Sequence, residues 1–119
     1  MASVADSLAD LVKVEGALAA ALVDSNSGMI LGGAGWGMDV ELAAAGNTEV
    51  LRAKVRTMKT LGMEDVIEDI LITLSTQYHI IRPVQAKPGI FVYLVLDRTK
   101  ANLALARRAV QEAEETVDF

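Results

Sequence analysis

One histidine, no cysteine and the acid pairs Glu64-Asp65 and Glu68-Asp69 are the residues from which an active site in this 119-residue chain would first be assembled. His79 could serve as a general base, and a nucleophile needs such a base within hydrogen-bonding reach. It stands between Tyr78 and Ile80 in a predicted strand, where a hydrogen-bonded structural role is the expectation. The absence of cysteine removes disulfides, thiolate metal sites and cysteine nucleophiles together. A metal would have to be held by one imidazole and carboxylates, and no calcium-loop spacing occurs. Glu64-Asp65 and Glu68-Asp69 could be drawn as acid and base, but both flank the start of a predicted strand and read as solvated charge. Lys54 lies at the border of a helix face, from which a lysine reaches water with its ammonium. No catalytic, cofactor-binding or metal site is expected, and the chain reads as a non-enzyme.

The glycines at 32, 33, 35 and 37 surround Trp36 and lead toward the longest predicted helix. They fit neither the dinucleotide fingerprint nor the phosphate-binding loop, since no Gly-Lys-Ser/Thr follows. A flexible strand-to-helix loop is the reading they support. Arg52, Lys54, Arg56 and Lys59 form a run of four basic residues with no acid between them. Such a run is a solvated helix face or a surface for an acidic partner. A net charge of −5 and a pI near 4.7 argue against nucleic acid, which requires a basic surface.

That basic run belongs to the stretch around which the chain is organised, a helix over residues 39–61 with three faces. At 3.6 residues per turn, Val40, Ala44, Leu51, Val55 and Met58 share one side, interrupted by Asn47, and should pack on the body of the domain. A second row, Ala43, Gly46, Val50, Ala53, Thr57 and Thr60, keeps a three-four spacing and is almost entirely small. Small residues at that spacing let another helix approach closely, so this row reads as a seam for a second copy of the chain. The third row, Glu41, Glu49, Arg52, Arg56 and Lys59, is charged. Asp39 is a plausible N-cap and Gly62 the terminator.

Around this helix, residues 3–13 read as a helix with Ser3 and Asp6 in a capping-box arrangement, closed by Gly16. Residues 17–24 form an alanine-rich strand that returns through Ser25-Asn26-Ser27-Gly28 into a hairpin with Met29, Ile30 and Leu31. Residues 66–74, 78–84 and 90–96 form an antiparallel meander. The last of these is apolar on both sides and belongs in the sheet interior. The first, carrying Ile70, Leu71 and Ile72, would at an edge expose unpaired backbone unless another strand adds to it. Asp97 is expected to cap a last helix over residues 99–116, with Leu103, Ala106, Val110 and Ala113 inward. The acids Glu112, Glu114, Glu115 and Asp118 oppose the helix dipole at its end and predict fraying. The order gives a single α/β domain over residues 1–119, a three-layer α/β/α sandwich on a five-stranded antiparallel sheet.

A mean hydropathy of +0.34 owes much to alanine, and charges interrupt every apolar run well before the ~18 to 20 residues of a spanning helix. The first fifteen residues match neither a secretory signal nor a transit peptide, and a cytoplasmic location is expected.

With these elements in place the chain resembles the roadblock family, which includes dynein light chain roadblock and the bacterial MglB proteins. The resemblance spans roughly residues 4–113. It rests on Leu8-Ala9-Asp10-Leu11-Val12, Val14-Glu15-Gly16, Ala20-Ala21-Leu22-Val23-Asp24, the turn through Gly28, Leu61-Gly62 and Phe91-Val92-Tyr93-Leu94-Val95-Leu96-Asp97. It implies a homodimer in which the strand after the central helix pairs edge to edge through Ile70, Leu71 and Ile72 while the central helices pack together. It implies, too, a regulator or scaffold of a small Ras-like GTPase, with Arg52, Arg56 and Lys59 facing the partner. The Trp36 loop is not a signature of that family, and no residue carries over as a catalytic arginine. A ligand-sensing or adaptor module without a GTPase partner is the alternative, and a cavity near Trp36 and Tyr93 would favour it.

Overall fold

The computed structural model describes residues 2–35 and 39–119. In chain order the elements are α1 (Val4–Leu11), β1 (Ala17–Asp24), β2 (Met29–Gly35), α2 (Val40–Thr60), β3 (Ile70–Thr73), β4 (Gln77–Pro83), β5 (Ile90–Asp97) and α3 (Leu103–Thr116). The strands form one antiparallel sheet in the order β2-β1-β5-β4-β3. The apolar β5 lies at its centre with residues 91–96 all buried, as its two-sided hydrophobicity requires.

Strand alternation divides the core into two halves. Ala20, Leu22, Ile80, Val92, Leu94 and Leu96 meet α1 through Leu8 and Leu11 and α3 through Ala106, Val110 and Ala113. On the opposite face Ala19, Ala21, Val23, Ile81, Phe91, Tyr93 and Val95 meet α2 through Ala44 and Leu51. The result is the three-layer arrangement, with α2 alone on its side. The alanines of β1 are what let helices lie close to both faces. Asp39 caps α2 by accepting from the Leu42 N–H at 3.0 Å, and Gly62 follows Leu61 with φ +70°.

Four expectations are corrected. Gly32, Gly33 and Gly35 are in β2, not in a loop, because pairing with residues 19–22 of β1 supplies the order that glycine's own preferences do not. Glycine is required at Gly35, where φ is +90° and a Cβ would collide with the Leu18 carbonyl oxygen, while a Cβ on Gly32 would stand 2.8 Å from Val4 Cγ1 and displace that side chain. Gly37 and Trp36 lie outside the described residues. Second, β3 begins at Ile70 and not at residue 66. The Asp69 carboxylate, far from being solvated, accepts two hydrogen bonds from Arg107 of α3 at 2.9 and 3.0 Å, which anchors the chain just before the strand.

Third, α3 is capped by Asn102, whose side chain accepts from the Leu105 N–H at 3.1 Å. Asp97 instead accepts from the hydroxyl and N–H of Thr99, forming a local turn, and these bonds hold its carboxyl below the usual range. Fourth, the acidic end of α3 is anchored. Glu114 is buried against Arg82 of β4, with Nε to Oε1 at 3.1 Å. Beyond it the Ala2 N–H donates to the Thr116 carbonyl at 3.0 Å and the Asp118 N–H to the Ala2 carbonyl at 2.7 Å. The helix dipole penalty is thus offset by a specific ion pair and by main-chain ties that the local charge pattern does not reveal.

Candidate partner-binding site

The three rows of α2 meet three surroundings. Toward the sheet, Ala44, Thr48, Leu51 and Met58 are buried. Thr48 takes the place expected for Val55: its hydroxyl donates to the Ala44 carbonyl at 2.8 Å, so a polar residue is buried at no cost in unmade bonds. Val55 is 39% exposed and lines a groove beside Arg52 and Arg56.

Beside this buried row is a chain of side-chain hydrogen bonds. The Asn47 amide donates to the Ala43 carbonyl at 2.7 Å. Tyr93 Oη is 2.9 Å from His79 Nδ1, and His79 Nε2 is 2.8 Å from Gln77 Oε1. The distances fit a neutral imidazole that donates from Nε2 and accepts from the phenol at Nδ1. The structural role expected for His79 is the one its contacts describe. Burial holds the His79 pKa below its ordinary value. Burial also raises that of Tyr93, with the Asn47 side chain acting in the opposite direction.

Because the folded pKa of His79 is lowered, the unfolded chain takes up the proton first. The stability contributed by neutral His79 is therefore complete above the unfolded value near 6.5 and is lost as pH falls below it. Urea midpoints measured at about pH 7.5 and about pH 5.5 should show the protein weaker at the lower value, and His79→Asn should flatten that slope. An equally steep slope in the variant would assign it to other groups.

The small row faces solvent. Gly46, Val50, Ala53, Thr57 and Thr60 are exposed and Ala43 is half-buried. A Cβ built on Gly46 has no heavy atom within 4 Å. The hydroxyls of Thr57 and Thr60 donate to the carbonyls of Ala53 and Arg56 at 2.9 and 3.0 Å, so neither hydrogen is left for a partner. Leu42 and Leu61, 70% and 67% exposed, extend the row at its two ends. Sequence reasoning missed both, although each stands four residues from a member of the row. β3 is an outer strand, and Ile70, Leu71 and Ile72 are half-buried with β4 as their one partner strand among the described residues. Its other edge presents unpaired main-chain groups.

The charged row turns elsewhere. Arg52 donates to the Asn26 carbonyl at 2.9 Å and stands 3.6 Å from Glu49, tying α2 to the β1–β2 turn. Among the described residues Arg56 and Lys59 have no carboxylate within 4.0 Å. All three cations line a groove of about 750 Å³ between the second half of α2, the connection into β3 and the β4–β5 turn. The structure thus brings Arg52, Arg56 and Lys59 together on one surface, distinct from the small row. Among the described residues no group of three or more His, Asp or Glu could hold a metal ion. Of the two residues expected to frame a sensor cavity, Tyr93 is 1% exposed beneath α2 and Trp36 lies outside the described residues. No helix among the described residues is long and apolar enough to cross a membrane.

No protein-family model and no curated protein matches the sequence. Solved structures do. A roadblock/LC7 domain from Streptomyces avermitilis superposes with a TM-score of 0.80 at 13% identity, over 92% of this chain and 90% of that one. MglB from Myxococcus xanthus gives 0.79 at 19% identity, over 92% and 86%. An MglB described as having a tetrameric arrangement gives 0.80 at 20% identity, over 94% and 82%. The chain has the roadblock fold, with its five-stranded antiparallel sheet and three helices.

Proposed function

We propose that this roadblock-fold chain works as a homodimeric, non-enzymatic regulator or scaffold that binds a small Ras-like GTPase. The observation that carries the reading is the exposed small row of α2 together with the open edge of β3, two surfaces with the same need for a second copy. Ala43, Gly46, Val50, Ala53, Thr57 and Thr60 would form the helix contact, and Ile70, Leu71 and Ile72 the strand contact. A closed twofold pairing uses one self-complementary patch on each copy, which a symmetric seam satisfies. The likeness in fold to MglB, one example of which has a tetrameric arrangement, supports both self-association and a regulatory role. Residues 1–119 act as one roadblock-like unit in this proposal, in the cytoplasm.

Arg52, Arg56 and Lys59 are the proposed partner-facing residues, and Arg56 and Lys59 are the more available because Arg52 already holds the Asn26 carbonyl. Charged groups of this kind govern encounter and orientation. Tagged protein would be incubated with its native lysate, with and without a non-hydrolysable GTP analogue, and the captured proteins identified. A nucleotide-dependent GTPase is the expected result. Alanine at Arg52, Arg56 and Lys59 together should lower its capture by about tenfold or more while the dimer persists. Undiminished capture would remove the charged row from the partner surface. A partner set without any GTPase would favour the adaptor or sensor alternative.

A further inference from the structure

The groove beneath the charged row is apolar where it is deepest. Leu51, Met58 and Val84 are buried in its floor, while Val66 is 64% and Met63 46% exposed along its side. Its rim carries Arg52, Arg56 and Lys59 against one lining carboxylate, Asp65. The chain as a whole has a net charge of −5, so this is a positive edge on an acidic molecule. An acidic partner is repelled at long range by most of the surface and attracted here.

One side of the groove is the connection into β3, from which Asp65, Val66 and Ile67 line it. Residues 64–67 lie in the connection to β3 and make no main-chain hydrogen bond with the described residues. The Val66 N–H is taken by the Asp65 carboxylate at 2.8 Å and the Ile67 carbonyl by Gln85 Nε2 at 3.4 Å. The other main-chain donors and acceptors of residues 64–67 have no hydrogen-bond partner among the described residues. Main-chain groups beside an apolar floor are what an extended peptide recognises, its backbone bonding them and alternate side chains entering the groove.

We infer that the groove is the docking site for an extended peptide segment of a partner protein, alternating apolar and acidic residues, with the apolar set on the floor and the acids at the Arg56 and Lys59 rim. It rests on the reading of the charged row as the partner-facing surface and adds the conformation and chemistry of what binds there. An acyl chain would satisfy the floor and leave these main-chain groups unpaired.

The probe is a fluorescein-labelled, amidated octapeptide alternating leucine and glutamate, with a matched peptide carrying lysine for glutamate. Anisotropy should report saturable binding of the acidic peptide, weakening as salt rises, and none of the lysine peptide. Arg56→Glu with Lys59→Glu, and separately Val66→Asp, should each weaken binding by about tenfold or more in protein whose circular dichroism is unchanged. Amide shifts should centre on residues 64–67. Absence of saturable binding, equal binding of the lysine peptide, shifts confined elsewhere, or binding of dodecanoate alone would each overturn the inference. The same peptide is then added to the GTPase capture. Displacement of the GTPase joins the two readings. Capture that survives saturating peptide keeps the regulator reading and overturns the groove as the partner's dock, whereas bound peptide with no GTPase captured at all overturns only the regulator reading.

Discussion

Replacing Gly46 with leucine should convert the proposed dimer into monomers without loosening the fold. The two effects separate because Gly46 is exposed in the middle of α2 and a Cβ placed there meets no atom of its own chain within 4 Å. Within one chain the change removes a helix-interior glycine and should stabilise α2 by roughly 0.5–1 kcal/mol. Across a seam of small side chains, where helix axes approach to about 8–10 Å, four added carbons must be accommodated. Overpacking of that kind costs about 1–3 kcal/mol per site, and in a twofold dimer it is incurred by both copies. A combined loss of even ~2 kcal/mol raises the dissociation constant roughly 30-fold. Sedimentation over a concentration series should therefore show dimer for the parent and monomer for Gly46→Leu, with a thermal midpoint in the variant's monomer that is no lower than that of the diluted parent. Ala53→Leu should behave alike, and Glu112→Leu, on the exposed side of α3, should not. Unchanged mass in both seam variants would remove the helix contact from the proposed dimer.

The small row was legible because helical period and side-chain size are local properties, and α2 starts at an aspartate and stops before a glycine as capping chemistry demands. β5 was legible for the same reason: an apolar run on both strand faces can be covered only in the interior. What escaped is non-local. Gly32, Gly33 and Gly35 have no strand preference of their own, and only their pairing with β1 and the approach of α1 explain them. The start of β3 is determined by Arg107, 38 residues from Asp69.

The misreading within α2 has a geometric cause. The period places Thr48 and Val55 on the same side, and hydrophobicity favours Val55. In the structure Val55 lines the open groove instead of the core, whereas Thr48 is 2% exposed and spends its hydroxyl on its own helix. Residue type could not reveal where the sheet's cover stops. The three cations of the charged row were identifiable from sequence, but the apolar floor beneath them draws on α2, the connection to β3 and the β4–β5 turn, segments that only the fold assembles.

The ion pair between Arg82 and Glu114 should be the most destabilising to break from one side. The side chains are 14% and 7% exposed, link β4 to the last turns of α3, and meet at 3.1 Å. Glu114→Ala would leave a guanidinium in a site with little water, and Arg82→Met would leave a carboxylate there. Removal of one member of a buried pair costs about 3–5 kcal/mol, chiefly through the charge left behind. For a chain of this length that loss lowers the melting temperature by roughly 10–25 °C. The intact pair need not be worth that much, because its own desolvation offsets most of the attraction. Arg82→Met with Glu114→Leu should accordingly recover most of the stability lost by either single change. Losses below about 1 kcal/mol in both singles would mean that solvent reaches the pair. A double variant as unstable as the singles would instead mean that the pair fixes the packing of α3 on β4 in a way apolar side chains do not reproduce. Neither residue is in the small row of α2 or the groove lining, so a folded double variant should still dimerise and still bind the partner.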